Sequence, residues 1–242
     1  MTTVFISDLH LDAQRPEVID EFCRLLAQFN FLESLYILGD FVEYWIGDDD
    51  NAHGLNRVFS SLKELKESGV PIYLMHGNRD FLLGSKFATQ YGVSLITDPA
   101  IIDLYGTPTL LMHGDTLCTD DAAYQAFRSM VRNPDWQKEF LSKSLDERRA
   151  IVKQLRDTSR KEMSNKSEEI MDVNQDTVES VMRQHNVLQL IHGHTHRPAV
   201  HRFKLDKKPA TRIVLGDWYT QSSVLTVSDD GFNLTPQMHG TL

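Results

Sequence analysis

Seven side chains able to hold a metal ion stand just behind apolar runs: Asp8, His10, Asp40, Asn78, His113, His194 and His196. Asp8 and His10 are two apart, as are His194 and His196, so in extended backbone each pair points to one side. All seven offer oxygen or imidazole nitrogen and none offers thiolate. That donor set suits a divalent first-row ion such as manganese, iron or zinc. Seven ligands are too many for one open catalytic ion and suit two ions that share a ligand. A carboxylate can bridge two ions and an imidazole cannot, which makes Asp40 the natural bridge. The chemistry of such a pair is displacement at phosphorus. A shared water ionises near neutral pH, and two ions roughly 3.5–4 Å apart hold the attacking and leaving sides. Each block also has a plain structural reading: an Asp as a cap, a His as a hydrogen-bonded strand end, Gly39, Gly77, Gly114 and Gly193 as turn residues. His76 and His192 fit either a structural role or an outer layer behind the ligands. Five blocks in one chain carry the metal reading where one would not.

The elements that must position these residues follow from periodicity. Val4–Ile6, Leu35–Leu38, Ile72–Met75, Leu110–Met112, Val187–Ile191, Arg212–Leu215 and Ser223–Val227 read as strands. Val18, Ile19, Phe22, Leu25, Leu26 and Phe29 recur at helical spacing, as do Leu55, Val58, Phe59, Leu62 and Leu65, and a further helix falls near 81–90. Strand–helix alternation predicts an α/β sheet layered with helices. In such folds ligands bind at the carboxyl ends of strands, where every candidate residue lies. From 119 to about 184 only helical signals occur, which predicts a helical insertion over the site between strands of one sheet. The domain expectation is a core of residues 1–121 and 171–242 with an insertion at 122–170.

The 242 residues allow one domain with an inserted subdomain. No apolar run approaches the 18 or so residues needed to span a bilayer, and the N-terminus reads as a strand rather than a signal peptide. Two distant cysteines, Cys23 and Cys118, support no disulfide framework and point to a reducing cytosol. The net charge of −9 is uneven: residues 128–166 hold eleven Lys/Arg against six Asp/Glu, +5, leaving −14 elsewhere. The acidic body argues against general nucleic-acid binding. The basic segment reads either as a contact for an anionic ligand or surface, or as a solvated helix face.

Asp8-x-His10, Gly39-Asp40, Gly77-Asn78, His113 and Gly193-His194-x-His196, in this order, resemble the calcineurin-like metallophosphoesterases. The resemblance implies an α/β two-sheet sandwich flanked by helices, with the insertion as a helical lid. It implies one metal on Asp8, His10, Asp40 and His196 and the other on Asp40, Asn78, His113 and His194. The chain departs from the family at Arg79, where a general-acid histidine is usual. A guanidinium keeps its proton and cannot serve as that acid, but it can stabilise charge on phosphate oxygens. Without a general acid the leaving group must depart unaided. A phosphate monoester, with its second pKa near about 6, can do so; a sugar or serine alkoxide cannot. Arg79 therefore points to cleavage of a diphosphate.

Trp45–Asp49, His76–Leu82, His113–Asp121, Ile170–Gln175 and Ile191–Ala199 resemble a branch of that family acting on a UDP-linked diacylglucosamine in bacterial lipid A biosynthesis. The likeness runs from Val4 to about Trp218. It implies two Mn2+ ions and hydroxide attack on the uridine-side phosphorus, giving UMP and 2,3-diacylglucosamine 1-phosphate. Arg79, Asp40 and His194 would be catalytic, and Asn78, Arg79, Asp121, Ser159, Lys166 and His194 would touch substrate. Met163 stands where the branch would place a polar contact. A helix cap for Asp121 and a solvated helix position for Ser159 are their plain readings. Trp136, Phe140, Leu141, Leu145, Ile151, Val152 and Leu155 could line an acyl groove or form the core of the insertion. The branch also implies weak peripheral attachment to the cytoplasmic face of the inner membrane, with no protein partner. The rivals are a hydrolase of a soluble nucleotide diphosphate and a scaffold of this fold that has lost catalysis; the scaffold predicts missing ligands, and none is missing.

Overall fold

The computed structural model describes residues 2–29, 32–163, 170–219 and 221–238, with side chains except at 160–163, 221 and 236–238. The first half follows the alternation read from the sequence: β1 (Thr2–Ile6), α1 (Pro16–Gln28), β2 (Leu32–Leu38), α2 (Asn56–Glu67), β3 (Ile72–Met75), α3 (Ser85–Tyr91) and β4 (Val93–Ile96). Helix α1 opens with Pro16 and Glu17 in its first turn, where proline's missing N–H costs nothing and negative charge favours the helix dipole. It buries Val18, Ile19, Phe22, Cys23, Leu25 and Leu26. Helix α3 starts at Ser85, later than the sequence suggests, because Asp48 captures the N–H groups of Gly84 and Phe87 and sets the first turn there. It stops at Gly92, which adopts the left-handed conformation glycine tolerates.

The second half contains β5 (Ala100–Leu104), β6 (Thr107–Met112), α4 (Ala122–Val131), α5 (Pro134–Leu141), α6 (Leu145–Met163), α7 (Gln175–Gln184), β7 (Gln189–His192), β8 (Ala199–Leu205), β9 (Lys208–Val214), β10 (Gln221–Ser228) and β11 (Gly231–Met238). The strands form two sheets, ordered β11-β10-β1-β2-β3-β4 and β5-β6-β7-β9-β8. Parallel pairing joins β1 to β2, β2 to β3, β3 to β4, β6 to β7 and β7 to β9. Strands β4, β5, β8 and β11 are additions to the sequence reading. All four are edge strands, and the patterns of β4, β5 and β8 mix exposed with half-buried positions instead of showing an apolar run.

Strand alternation splits the core into layers. Phe5, Leu38 and Met75 of the first sheet meet Leu111, Ile191 and Ile213 of the second, so the two sheets pack face to face. Val4, Ile6, Leu35 and Ile37 point the other way onto α1 and α2. Helix α7 covers the far side of the second sheet with Val178 and Met182. The segment between β6 and β7 is helical among its described residues, as expected. Its Phe140 is fully part of the core beneath the first sheet's helices, with Trp136, Leu145, Ile151 and Val152 half-buried against it, while Leu141 is exposed. Parallel β1, β2, β3, β6 and β7 all end on one rim, and the candidate ligands follow them there.

Candidate active site

After β1 and β2 the chain runs as two adjacent turns tied by backbone hydrogen bonds. Asp8 N–H donates to the Gly39 carbonyl (3.1 Å) and His10 N–H to the Asp40 carbonyl (2.9 Å). From the second sheet, Gly193 N–H donates to the His113 carbonyl (2.9 Å). Five of the seven expected ligands sit at positive φ: Asp8 (54°), His10 (47°), Asp40 (50°), His194 (70°) and His196 (58°). Such backbone costs roughly 1–3 kcal/mol per residue and persists where the surroundings over-determine it. Its concentration here marks a functional site.

The glycines hold the turns close. A Cβ on Gly77 would lie 2.2 Å from both the amide nitrogen and Oδ1 of Asp40, and one on Gly193 would lie 2.3 Å from Asp8 Oδ2. These are close approaches that only glycine permits. Fully buried Asp80 laces the loops together, accepting from Phe41 N–H and Gly77 N–H (both 2.7 Å).

All seven predicted donors converge. Asn78 Oδ1 lies 3.0 Å from His113 Nε2 and 2.9 Å from His194 Nδ1. Asp40 reaches His113 Nε2 with Oδ1 (3.9 Å) and His10 Nε2 with Oδ2 (3.7 Å), placing it between the two groups. Asp8 Oδ1 is 3.4 Å from His196 Nε2 and accepts no hydrogen bond, while Oδ2 accepts from Ser7 Oγ (2.6 Å) and His194 N–H (2.8 Å). Donor atoms of Asp8, His10 and His196, and those of Asp8, Asp40 and His113, lie mutually within 4.8 Å.

The histidines test the fit. His10 Nδ1 faces Glu43 Oε2 (3.1 Å), off the line of a good hydrogen bond, and His196 Nδ1 faces Asp217 Oδ2 (3.0 Å). A ring nitrogen beside a carboxylate carries its proton, which leaves both Nε2 lone pairs facing each other at 3.3 Å. That arrangement requires a proton or a cation between them. His113 points Nδ1 at the Leu38 carbonyl (2.9 Å), so its Nε2 also faces the centre as an acceptor unless protonated. The residues therefore fit a pair of divalent cations.

The charge balance agrees. Burial opposes protonated His113, but Asp40, Asp115 and Asp8 push it up to about 9. Burial likewise opposes protonated His196, and Asp217 and Asp8 raise it to about 10. His194, buried and beside His113, falls to about 3. Burial works against ionised Asp8, yet His196, His113 and His10 together hold it well below the usual carboxylate range. Asp40 is raised by burial despite His113 and His10. The buried carboxylates thus favour positive charge at this centre.

Arg79 N–H donates to Asp40 Oδ1 (2.7 Å), fixing the residue at the edge of the cluster, and its Nε is shielded with no partner. The expected substrate contacts divide. Asn78, Arg79 and His194 lie in the cluster. Asp121 caps α4, accepting from Tyr124 N–H (3.0 Å). Ser159 is half-buried on α6. Lys166 lies outside the described residues, as does the side chain of Met163.

Several residues around the site escaped sequence reasoning. Buried Asp115 accepts from Tyr124 Oη (2.8 Å) and Arg128 Nε (2.6 Å), and the Tyr124 ring lies 5.7 Å from that of His194. Arg132 Nη2 donates to the Gly77 carbonyl (2.8 Å). Tyr219 stacks on His10 at 5.2 Å, with the Arg15 guanidinium over its ring. Asp115 follows His113 by two and could have been flagged; Glu43, Asp217 and Tyr219 follow no motif. The basic segment fits neither of its two readings fully. Arg128, Arg148, Arg149 and Arg156 pair with Asp115, Asp49, Asp50 and Glu43, so much of the positive charge clamps α4 and α6 to the acidic body.

Comparison with known proteins matches residues 1–198 to the calcineurin-like phosphoesterase family. The UDP-2,3-diacylglucosamine hydrolase of Cellvibrio japonicus (strain Ueda107) is 52% identical over 235 residues, 97% of this chain and 98% of the relative. The protein of the same name from Azotobacter vinelandii (strain DJ / ATCC BAA-1303) is 49% identical over 239 residues, 98% of each chain. That of Escherichia coli O17:K52:H18 (strain UMN026 / ExPEC) is 48% identical over 235 residues, 97% of this chain and 98% of the relative. Among solved structures, an archaeal phosphodiesterase aligns with a TM-score of 0.51 at 13% identity, over 98% of this chain and 99% of that one, which speaks to the fold.

Proposed function

The chain belongs to the calcineurin-like phosphoesterase family, beside the UDP-2,3-diacylglucosamine hydrolases, and from that premise we propose how its site performs this hydrolysis. The enzyme cleaves the diphosphate of UDP-2,3-diacylglucosamine, a step of lipid A biosynthesis. Water adds to the uridine-side phosphorus, the anhydride P–O bond breaks, and the products are UMP and 2,3-diacylglucosamine 1-phosphate. Asp8, His10, Asp40 and His196 would hold one divalent ion, and Asp40, Asn78, His113 and His194 the other. When bound, the pair supplies an acidified water and Lewis-acid charge at phosphorus. The ions are read as manganese, which the all-oxygen and nitrogen donor set supports as one of the first-row candidates.

The observation that carries the reading is Arg79, pinned to Asp40 with a shielded, unpartnered Nε. A guanidinium carried on this fixed backbone at the cluster edge would pair with phosphoryl oxygens as charge grows on them. It has no proton to give, which matches a lipid phosphate that leaves without one. The insertion, residues 122–170, which includes α4–α6, would act as a lid over the lipid half, with Asp121, Ser159 and Lys166 offered to the sugar and phosphate. Among the described residues, four of the nine exposed large hydrophobics, Phe127, Met130, Leu141 and Ile170, fall in this segment. Their concentration there supports weak attachment to the cytoplasmic face of the inner membrane. No helix among the described residues is long and apolar enough to cross a membrane.

Hydrolysis by metal-stripped protein with Mn2+ restored, run in oxygen-18 water, tests the reading. Label should enter UMP. Label in the lipid phosphate would overturn the leaving-group assignment, and equal activity on UDP-sugars without acyl chains would favour a soluble substrate.

A further inference from the structure

The two proposed ion positions are supported unequally. Among the described residues, a backbone carbonyl, that of Leu38, stands behind His113. Behind His10 and His196 stand two carboxylates, Glu43 and Asp217. Glu43 is largely buried and has a second partner: its Oε1 takes an ion pair from Arg156 of α6, while Oε2 faces His10 Nδ1 at 3.1 Å. Arg156 also lies over the Tyr44 ring, 5.4 Å from its centroid, so the guanidinium is held on two sides. One carboxylate therefore links a helix of the insertion to a residue of the metal cluster.

We propose that Glu43 is a positioning residue and that Arg156–Glu43–His10 forms a relay, through which the seating of α6 sets the affinity of the ion position built on Asp8, His10 and His196. The inference rests on the two-ion reading above. An outer carboxylate does two things to an imidazole ligand: it fixes the ring so that Nε2 faces the ion, and it makes that nitrogen a stronger donor. Arg156 holds the carboxylate in place. If α6 moves away, Glu43 loses its tether and His10 its orientation, so affinity falls at this position. The Asn78–His113–His194 position has no such link to α6 among the described residues and does not respond.

The test is Mn2+ binding itself, followed by the EPR signal of free Mn2+, with folding checked by circular dichroism. Wild type should bind two ions. Glu43→Gln keeps the size and loses the charge; it should weaken one ion by about 10- to 100-fold, the usual effect of losing an outer partner. Arg156→Met should weaken the same ion by about 2- to 5-fold, as loss of a partly exposed ion pair does. Assignment comes from two backgrounds. With His113→Ala both effects should persist; with Asp8→Ala both should vanish. Equal weakening in the two backgrounds overturns the relay, as does an unchanged isotherm in either variant. Arg156 lies on the surface of the insertion, so Arg156→Met keeps the test open if Glu43→Gln misfolds. A wild type that binds fewer than two ions overturns the two-ion reading, and the relay with it.

Discussion

Arg79 combines a fixed backbone with an unsatisfied head. Its N–H is committed to Asp40 (2.7 Å), its carbonyl accepts from Trp45 N–H (3.2 Å), and Nε has no partner. A lysine would keep the charge but lose the planar fork that pairs two phosphoryl oxygens. Arg79→Lys should therefore lower kcat by about 10²- to 10³-fold, the loss typical of one transition-state donor, with KM changed far less. Steady-state kinetics on the lipid substrate check this; a rise in KM alone would mean that Arg79 only binds the ground state. Asp98 makes the opposite point, a charge the fold holds at a loss. Both its carboxylate oxygens are shielded from solvent, and burial, with Asp115 nearby, raises its pKa to about 6 despite His113 and Arg128. A carboxyl raised on folding costs nothing while protonated in both states. Stability is lost as pH climbs from the unfolded value near 3.8 through the folded one, and at pH 7 the whole penalty is present, about 3 kcal/mol as an upper figure. In metal-free protein Asp98→Asn should gain about 1–3 kcal/mol at pH 7 and several-fold less near pH 4. Urea denaturation at both pH values decides; an equal gain at both would mean that charge is not the cause.

At the scale of elements, Arg148 joins the insertion to the body. It is 5% exposed and makes five hydrogen bonds: a bidentate pair to Asp49 (2.6 and 2.9 Å) and one each to the carbonyls of Ile46, Leu141 and Lys143. Asp49 is half exposed, so the ion pair is a small share. The larger share is three carbonyls that would lose their donor. Arg148→Met should cost about 2–4 kcal/mol, lowering Tm by roughly 5–15 °C in a chain of this size. Arg148→Lys should not rescue it, because an ammonium cannot span these acceptors; full rescue in a thermal melt would refute the geometric account. Arg148 also shows where legibility stops. Local pattern finds a strand when an apolar run declares it, hence β1, β2, β3, β6 and β7, and ligands when they follow such runs. Strands whose residues are half wet, such as β5 and β8, carry no run to find. Contacts such as Arg148–Asp49 or Glu43–His10 join residues 99 and 33 positions apart, set by tertiary packing that no spacing encodes. The cluster of seven was readable because each member is local to its own strand; the groups behind it were not.

At the scale of the whole molecule, the site lies where two sheets meet, and the donor groups of their loops crowd together. Buried Asp8 and Asp40 face protonated histidines, and two Nε2 atoms oppose each other at 3.3 Å. Divalent ions held as proposed would replace those protons and cross-link loops from β1, β2 and β3 to loops from β6 and β7, which would couple metal binding to the stability of the entire sandwich. Ligand present at about 100 times its Kd adds about 2.7 kcal/mol, which in a chain of this length raises Tm by roughly 5–10 °C. The sign with pH follows from the histidines. In metal-free protein His113 and His196 hold protons up to about 9 and about 10. Below those values an ion must displace the protons to bind, so affinity falls as pH is lowered. The Tm gain on adding Mn2+ to chelator-treated protein should therefore be larger at pH 8 than at pH 6, at fixed free Mn2+. Equal gains would mean that the ions bind without displacing protons, and the assignment of His113 and His196 as ligands would fail.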